Sequence, residues 1–483
     1  MTLKQKTVAG IIWNALGSVA RQILQVITMI VMTRYLTPND FGIYAILMIF
    51  VTFMQIFASM GTAQAILHID EPSDRFLSSV FYLNVGIGSA LFILLYSSAT
   101  AIASFYEDPK LATPIKIIAI NFIIASLSIV QKTVLEKALK FKLVVKIETI
   151  ALTLSSIIGI ALAIGGYGVA SLLIMTIANT TILTGMLWKI SQWRPLLKFS
   201  MCDIRQIWSY TANLTGFGVI NYFSRNADKF LIGKYIGTSS LGLYTVAYKI
   251  MLYPLENISR ILVRVLLPAF SIIKADNKRF QNSYLRVISF ISFITFPLMV
   301  GLIAVAETFV KVAFGDQWNG LVSLLRILAP IGMAQAIATT VGSIYMAKGA
   351  TALMFKTGLA CSMITVAFFI IAIPFGLTAV ALSYLASNII TLFINLKYSW
   401  TLIDLNISTG LAVTIHPLAS SLVMGIGIWA LNPIIKGNLP PGNFNSALTL
   451  GIQIATGIIF YTLYFIVFAR NFVKPLLLSI KNK

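Results

Sequence analysis

The sequence predicts an all-α integral membrane protein. We expect about fourteen transmembrane helices, with two six-helix lobes related as a parallel repeat around a central cavity and two further helices at the C-terminus. Three observations carry this. Of the 483 residues, 58% are hydrophobic and 11% charged, where a soluble chain carries roughly 25% charged residues. Apolar stretches of bilayer-spanning length recur along the whole chain. A 200-residue internal repeat links the two halves.

The expected spans of the first lobe, residues 1–200, are Ile11–Thr33, Phe41–Leu67, Ser78–Phe105, Ala112–Gln131, Ile147–Ile164 and Gly168–Trp188. The second lobe, residues 201–405, holds Tyr210–Gly233, Leu241–Phe270, Val287–Ala306, Leu321–Ala347, Thr357–Ile373 and Leu377–Thr401. Residues 406–483 add Leu411–Leu431, Ala447–Phe468 and a tail. The two-residue alternation of a barrel is absent, so helices are expected over strands. Asn14, Arg21, Gln22 and Gln25 interrupt the first stretch. It reads as a spanning helix and not as a cleavable signal.

The net charge of +21 does not indicate nucleic acid here. On so apolar a chain it indicates cytoplasmic loops beside anionic lipid. With the N-terminus inside, alternate loops collect Lys132, Lys137, Lys140, Lys142 and Lys146, then Lys189, Arg194, Lys198 and Arg205. The cytoplasmic excess is roughly three to one by the positive-inside count. Both termini are then cytoplasmic. Two cysteines and two histidines leave no disulfide framework, and neither a metal site nor a cofactor is expected. The loops are too short for a soluble catalytic domain, so no catalytic residue is expected either. His416 and His68 read as structural and solvated, and Pro254, Pro297 and Pro374 as helix breaks, kinks or ends.

The repeat aligns Arg34-Tyr-Leu-Thr-Pro-Asn-Asp-Phe-Gly-Ile-Tyr44 with Lys234-Tyr-Ile-Gly-Thr-Ser-Ser-Leu-Gly-Leu-Tyr244. Gly166-Tyr-Gly-Val-Ala170 similarly matches the segment from Gly376 to Ala381. Six spans per half is an even number, so both copies enter the membrane in one sense. Their axis then lies along the membrane normal.

Basic residues inside the expected spans are Arg21, Arg225, Lys229, Lys249, Arg260 and Arg264. Each costs roughly 2.5–3.5 kcal/mol at a helix centre on insertion scales. On the first helix Asn14, Ser18, Arg21, Gln25 and Thr28 share one face. Asn221, Arg225 and Asp228 do so on the seventh, and Lys249, Glu256, Arg260 and Arg264 on the eighth. Asp228 and Glu256 are at helical spacing to pair with Arg225 and Arg260. Six cations against these two acids leave a positive surplus suited to an anionic ligand, and Arg suits phosphate.

The chain resembles the polysaccharide transporter branch (Wzx and colanic-acid-exporter-like) of the MOP flippase superfamily. The resemblance is carried by Arg225-Asn-Ala-Asp228-Lys-Phe-Leu-Ile-Gly233, Leu241-Gly-Leu-Tyr244, Leu267-Pro-Ala-Phe270, Ala313-Phe-Gly315, Trp318 and the Tyr35–Tyr44 segment. It implies a bacterial inner-membrane flippase that moves a polyprenyl-diphosphate-linked oligosaccharide from the cytoplasmic to the periplasmic leaflet. The product would feed O-antigen, capsule or exopolysaccharide synthesis. Membrane lipids, a polysaccharide polymerase and a chain-length regulator are the implied partners. In that frame Arg21, Arg225, Lys249 and Arg260 attract the diphosphate. Asn14, Gln22, Gln25, Gln55 and Asn221 bind glycan hydroxyls, and Asp228 or Glu256 couples an ion gradient to rocking of the lobes. The alternative within the same fold is an ion-coupled multidrug exporter, for which acidic cavity residues would be expected. A glycan polymerase or ligase would need a long periplasmic loop. Against a non-transporting scaffold, costly intramembrane charges argue for a solvated path.

Overall fold

Hydrogen-bond economy in lipid forces the backbone into helices, and among the described residues all regular structure is helical. A computed structural model describes residues 3–59, 61–201, 204, 222–223, 225–255, 270–437 and 443–469. Among them, eleven helices are long and apolar enough to cross a membrane. They coincide with the expected second to sixth and ninth to fourteenth spans. The first expected span lies on a 33-residue helix. The seventh and eighth run into residues outside the described ones. The protein is a multi-pass membrane protein.

The chain forms two compact units, Met1–Gly242 and Leu243–Lys483. In the first unit the order is α1 (Leu3–Tyr35), α2 (Pro38–Ser59), α3 (Thr62–His68), α4 (Asp74–Phe105), α5 (Ala112–Ala119), α6 (Asn121–Ser126), α7 (Ile129–Lys137), α8 (Phe141–Ile164) and α9 (Val169–Ile190). Residues 225–235 are also helical. The expected second span is divided, because Gly61 takes the left-handed backbone (φ 68°) that a side chain resists. His68, which the sequence beside Asp70 and Glu71 places in a loop, closes α3. The expected fourth span is assembled from α5, α6 and α7. Ser73 caps α4 by accepting the Phe76 N–H at 3.2 Å.

Helices α1 and α8 run in the same direction. Lys142 lies over the Trp13 ring at 4.7 Å. One turn on, a Cβ on Gly17 would lie 2.1 Å from Val145 Cγ1, and one turn further Arg21 meets Glu148. Only a glycine lets the two backbones approach this closely. α7 returns antiparallel along α8, with Leu135 packed among Val144, Ile147 and Leu187.

The two repeat segments meet within the first unit. A Cβ on Gly42 would fall 1.7 Å from the Thr238 carbonyl oxygen, and one on Gly242 would fall 1.8 Å from that of Pro38. Under the 200-residue offset these two contacts are each other's equivalents. Thr238 Oγ1 also donates to Asn39 Oδ1.

α10 (Thr238–Pro254) continues into the second unit, followed by α11 (Asn277–Ala313), α12 (Gly320–Ala347), α13 (Thr351–Ala372), α14 (Leu377–Thr401), α15 (Ile407–Gly437) and α16 (Asn443–Phe468). Pro297 lies inside the 37-residue α11, so it ends no helix; Pro374 sits in the short 3₁₀ turn after α13. Gly376 caps α14 at φ 86° as Gly168 caps α9 at φ 52°. The structural counterpart of Gly376 is thus Gly168, two residues beyond the match read from sequence. One core gathers Phe270, Phe280, Tyr284 and Trp400; there the buried Tyr284 hydroxyl lies 2.8 Å from Thr340 Oγ1 and accepts Trp400 Nε1–H at 3.1 Å. α15 and α16 pack on α11 through Val300, Met424, Tyr461 and Phe465.

Candidate functional site: a charged cluster within the first unit

The α1–α8 crossing places Arg21 beside Glu148, and the α7–α8 hairpin brings Lys132 to the same carboxylate. Arg21 Nη1 lies 3.2 Å from Glu148 Oε2. Lys132 Nζ donates to Glu148 Oε1 at 2.6 Å and lies 3.9 Å from Glu136 Oε1. Glu148 thus bridges two cations, one on each oxygen. The Arg21 contact is Coulombic only: Nη1 is shielded from solvent, yet among the described residues no acceptor meets its N–H at hydrogen-bonding geometry. All four side chains keep partial access, with relative exposures of 22% for Arg21, 21% for Glu148, 37% for Lys132 and 30% for Glu136. Partly buried charges such as these are screened less than fully exposed ones.

Three residues of this cluster were missed in the sequence. Lys132 reads in the sequence as an orientation charge in a loop, but it lies on α7 inside a membrane-spanning segment. Glu148, second residue of an expected span, does not enter the count of two acids. Glu136 is one helical turn beyond Lys132, the spacing of an intrahelical pair. Lys137, also read as a loop charge, donates to the carbonyl oxygens of Ile66, at 2.9 Å, and Ile69. It holds the C-terminal end of α3, where the helix dipole favours a cation.

The other residues singled out fall in several places. Gln22 is half-buried, and Gln25 and Gln55 are exposed. The Asn14 side chain, Asn221, Glu256, Arg260 and Arg264 lie outside the described residues. Arg225 and Lys249 are exposed. Asp228 is buried at 4% exposure and accepts the Lys229 backbone N–H at 2.8 Å. Lys229 Nζ donates to Asn226 Oδ1 at 3.2 Å. Outside the membrane-spanning segments, Lys234 Nζ lies 2.7 Å from Glu107 Oε1. That hydrogen bond and charge hold the Glu107 carboxyl below its ordinary pKa.

The second unit carries a neutral network. Gln335 Nε2 donates to the Tyr384 hydroxyl at 2.8 Å and to Asn388 Oδ1 at 3.2 Å. The Tyr248 and Tyr384 hydroxyls are 3.3 Å apart. Tyr244 stacks on Tyr248 with ring centroids 5.9 Å apart.

The sequence model of a family described as "Polysaccharide biosynthesis protein" matches residues 31–323. The chain belongs to the polysaccharide biosynthesis protein family. Among its relatives, the teichuronic acid biosynthesis protein TuaB of Bacillus subtilis is 27% identical over 95% of both chains. The lipopolysaccharide biosynthesis protein WzxC of Escherichia coli is 27% identical over 74% of this chain and 73% of its own. Among solved structures, the lipid II flippase MurJ in an inward closed conformation superimposes with a TM-score of 0.75, at 19% identity, over 95% of this chain and 99% of that one. This family member therefore has the MurJ fold.

Proposed function

We propose that this family member is a non-enzymatic flippase. It translocates a polyprenyl-diphosphate-linked oligosaccharide from the cytoplasmic to the periplasmic leaflet of the bacterial inner membrane, for synthesis of a cell-surface polysaccharide. Both termini face the cytoplasm. The six-helix lobes 1–200 and 201–405 rock in alternating access, with 406–483 attached to the second. The single observation that carries this reading is the pair of cations, Arg21 and Lys132, converging on one point inside a membrane-spanning unit. Such charges are costly in lipid and are retained where a polar or charged cargo passes. The family and the MurJ-like fold support the same reading.

The division of labour follows from chemistry. A diphosphate needs fixed cations, and Arg offers a forked set of donors that matches phosphate oxygens. Arg21 is the anchor, with Arg225, Lys249 and Arg260 as further cations on the path. Asn14, Gln22, Gln25, Gln55 and Asn221 offer amides to glycan hydroxyls. Asp228 and Glu256 are candidates for coupling an ion gradient. The polymerase and chain-length regulator that use the product are proposed partners.

The test is translocation in proteoliposomes loaded with a fluorescent lipid-linked oligosaccharide, read by protection of the glycan from an impermeant lectin. Arg21→Gln, and the double change Arg225→Gln with Arg260→Gln, should each cut protection by roughly tenfold or more while the protein remains in the membrane at wild-type level. Full activity in both would overturn the cationic path. An exporter of cationic drugs would instead survive these changes.

A further inference from the structure

Glu148 holds the place an anionic ligand would take. Its two oxygens face two different cations, Arg21 at 3.2 Å and Lys132 at 2.6 Å. Those cations come from α1 and α7, and Glu148 on α8 meets both. A phosphate can be held in this same arrangement, as a compact anion between a guanidinium and an ammonium, each on its own oxygen. The Arg21 N–H nearest the carboxylate is not aligned with it, so the flat two-oxygen group fills the seat imperfectly. A tetrahedral group presents a third oxygen out of that plane. With Glu136 near Lys132, the cluster of two cations and two carboxylates sums to zero formal charge. The cations are thereby kept from repelling one another while no ligand is present.

We propose that Glu148 is an internal surrogate anion. It occupies the seat of the substrate's diphosphate, keeps Arg21 and Lys132 converged, and exchanges with the diphosphate when cargo enters and leaves. Glu148 is then a positioning residue that sets affinity and release. Lys132 is a second phosphate ligand beside Arg21. This inference rests on the flippase reading above, because it takes the cargo to carry a diphosphate.

An ordinary structural ion pair and a surrogate anion differ in the sign of one effect. Removing the carboxylate from a structural pair loosens both cations and weakens any ligand they hold. Neutralising a surrogate frees both cations for the ligand and strengthens binding. The probe is geranyl diphosphate, a short soluble prenyl diphosphate, titrated against the purified full chain in nanodiscs. Glu148→Gln should bind it about tenfold more tightly than wild type, with cargo translocation slowed by retention. Arg21→Gln and Lys132→Gln should each bind it at least tenfold more weakly. Glu148→Asp keeps the charge and should restore wild-type affinity and rate. Equal or weaker binding by a folded Glu148→Gln, with wild-type binding intact, overturns the surrogate while leaving the flippase reading in place. If Glu148→Gln fails to fold, binding by Lys132→Gln decides: affinity equal to wild type overturns the proposal, and the expected loss supports it. No binding of geranyl diphosphate by the folded wild type overturns both readings together.

Discussion

In the first unit α1, α7 and α8 join through charged side chains, Arg21, Lys132, Glu136 and Glu148. In the second unit α10, α12 and α14 join through neutral ones, Tyr248, Gln335, Tyr384 and Asn388. Ions in a low-dielectric wall interact strongly with any charge that arrives and must be compensated when none is there. Amides and phenols carry no such demand, and they offer directional donors and acceptors matched to hydroxyl groups. The contrast suggests a chemical division in which the first region senses charge and the second senses hydrogen-bonding pattern. It also predicts a graded response to substitution.

The largest effect should come from Arg21→Gln. Charge-assisted hydrogen bonds contribute about 1.5–3 kcal/mol each, so translocation should fall roughly 10- to 100-fold, measured in the lectin-protection assay. Gly42→Leu comes next. Its side chain would meet the Thr238 carbonyl, backbone that cannot rotate away, and overpacking costs about 1–3 kcal/mol or more. A fall of several degrees in melting temperature should follow, where Gly86→Leu, with open space around it, should leave the melt unchanged. Gln335→Leu should be milder. It removes two neutral hydrogen bonds worth about 0.5–1.5 kcal/mol each, and its imprint should be on glycan preference, read by comparing cargo with long and short oligosaccharides. Equal loss for both cargoes would dissolve the proposed division. Glu107→Gln should be nearly silent, because the carboxylate is exposed to solvent. Its lowered pKa sets the sign: the pair contributes above the ordinary Glu pKa of about 4.3 and is lost as pH falls through the lower folded value. Thermal melts of wild type and Glu107→Gln should therefore converge in acid.

The spans were legible because hydropathy reports what lipid demands. Leu377–Thr401 matches α14 at both ends, and Leu321–Ala347 differs from α12 by one residue. The misses share a cause. α4 begins at Asp74, four residues before its expected start, and α13 at Thr351, six before; hydropathy measures bilayer thickness and is blind to polar turns beyond it. Arg21 was legible as a charge where lipid should be. Lys132 and Glu148 were not, since each lies near a span end, where a charge has a ready explanation in topology or solvent. Only the antiparallel packing of α7 on α8 joins them, and such pairings leave no periodic trace in a single sequence.

The reciprocal approach of Gly42 to Thr238 and of Gly242 to Pro38 has a bearing on symmetry. When residue i of one copy touches residue j of the other, and j touches i, the contact is isologous, the pattern a two-fold axis imposes on a pair of identical subunits. Each repeat segment supplies both a glycine and the carbonyl that faces the other segment's glycine. Gly42 and Gly242 are therefore held to the same choice by the same geometry, and a side chain at either one disturbs one of two equivalent contacts.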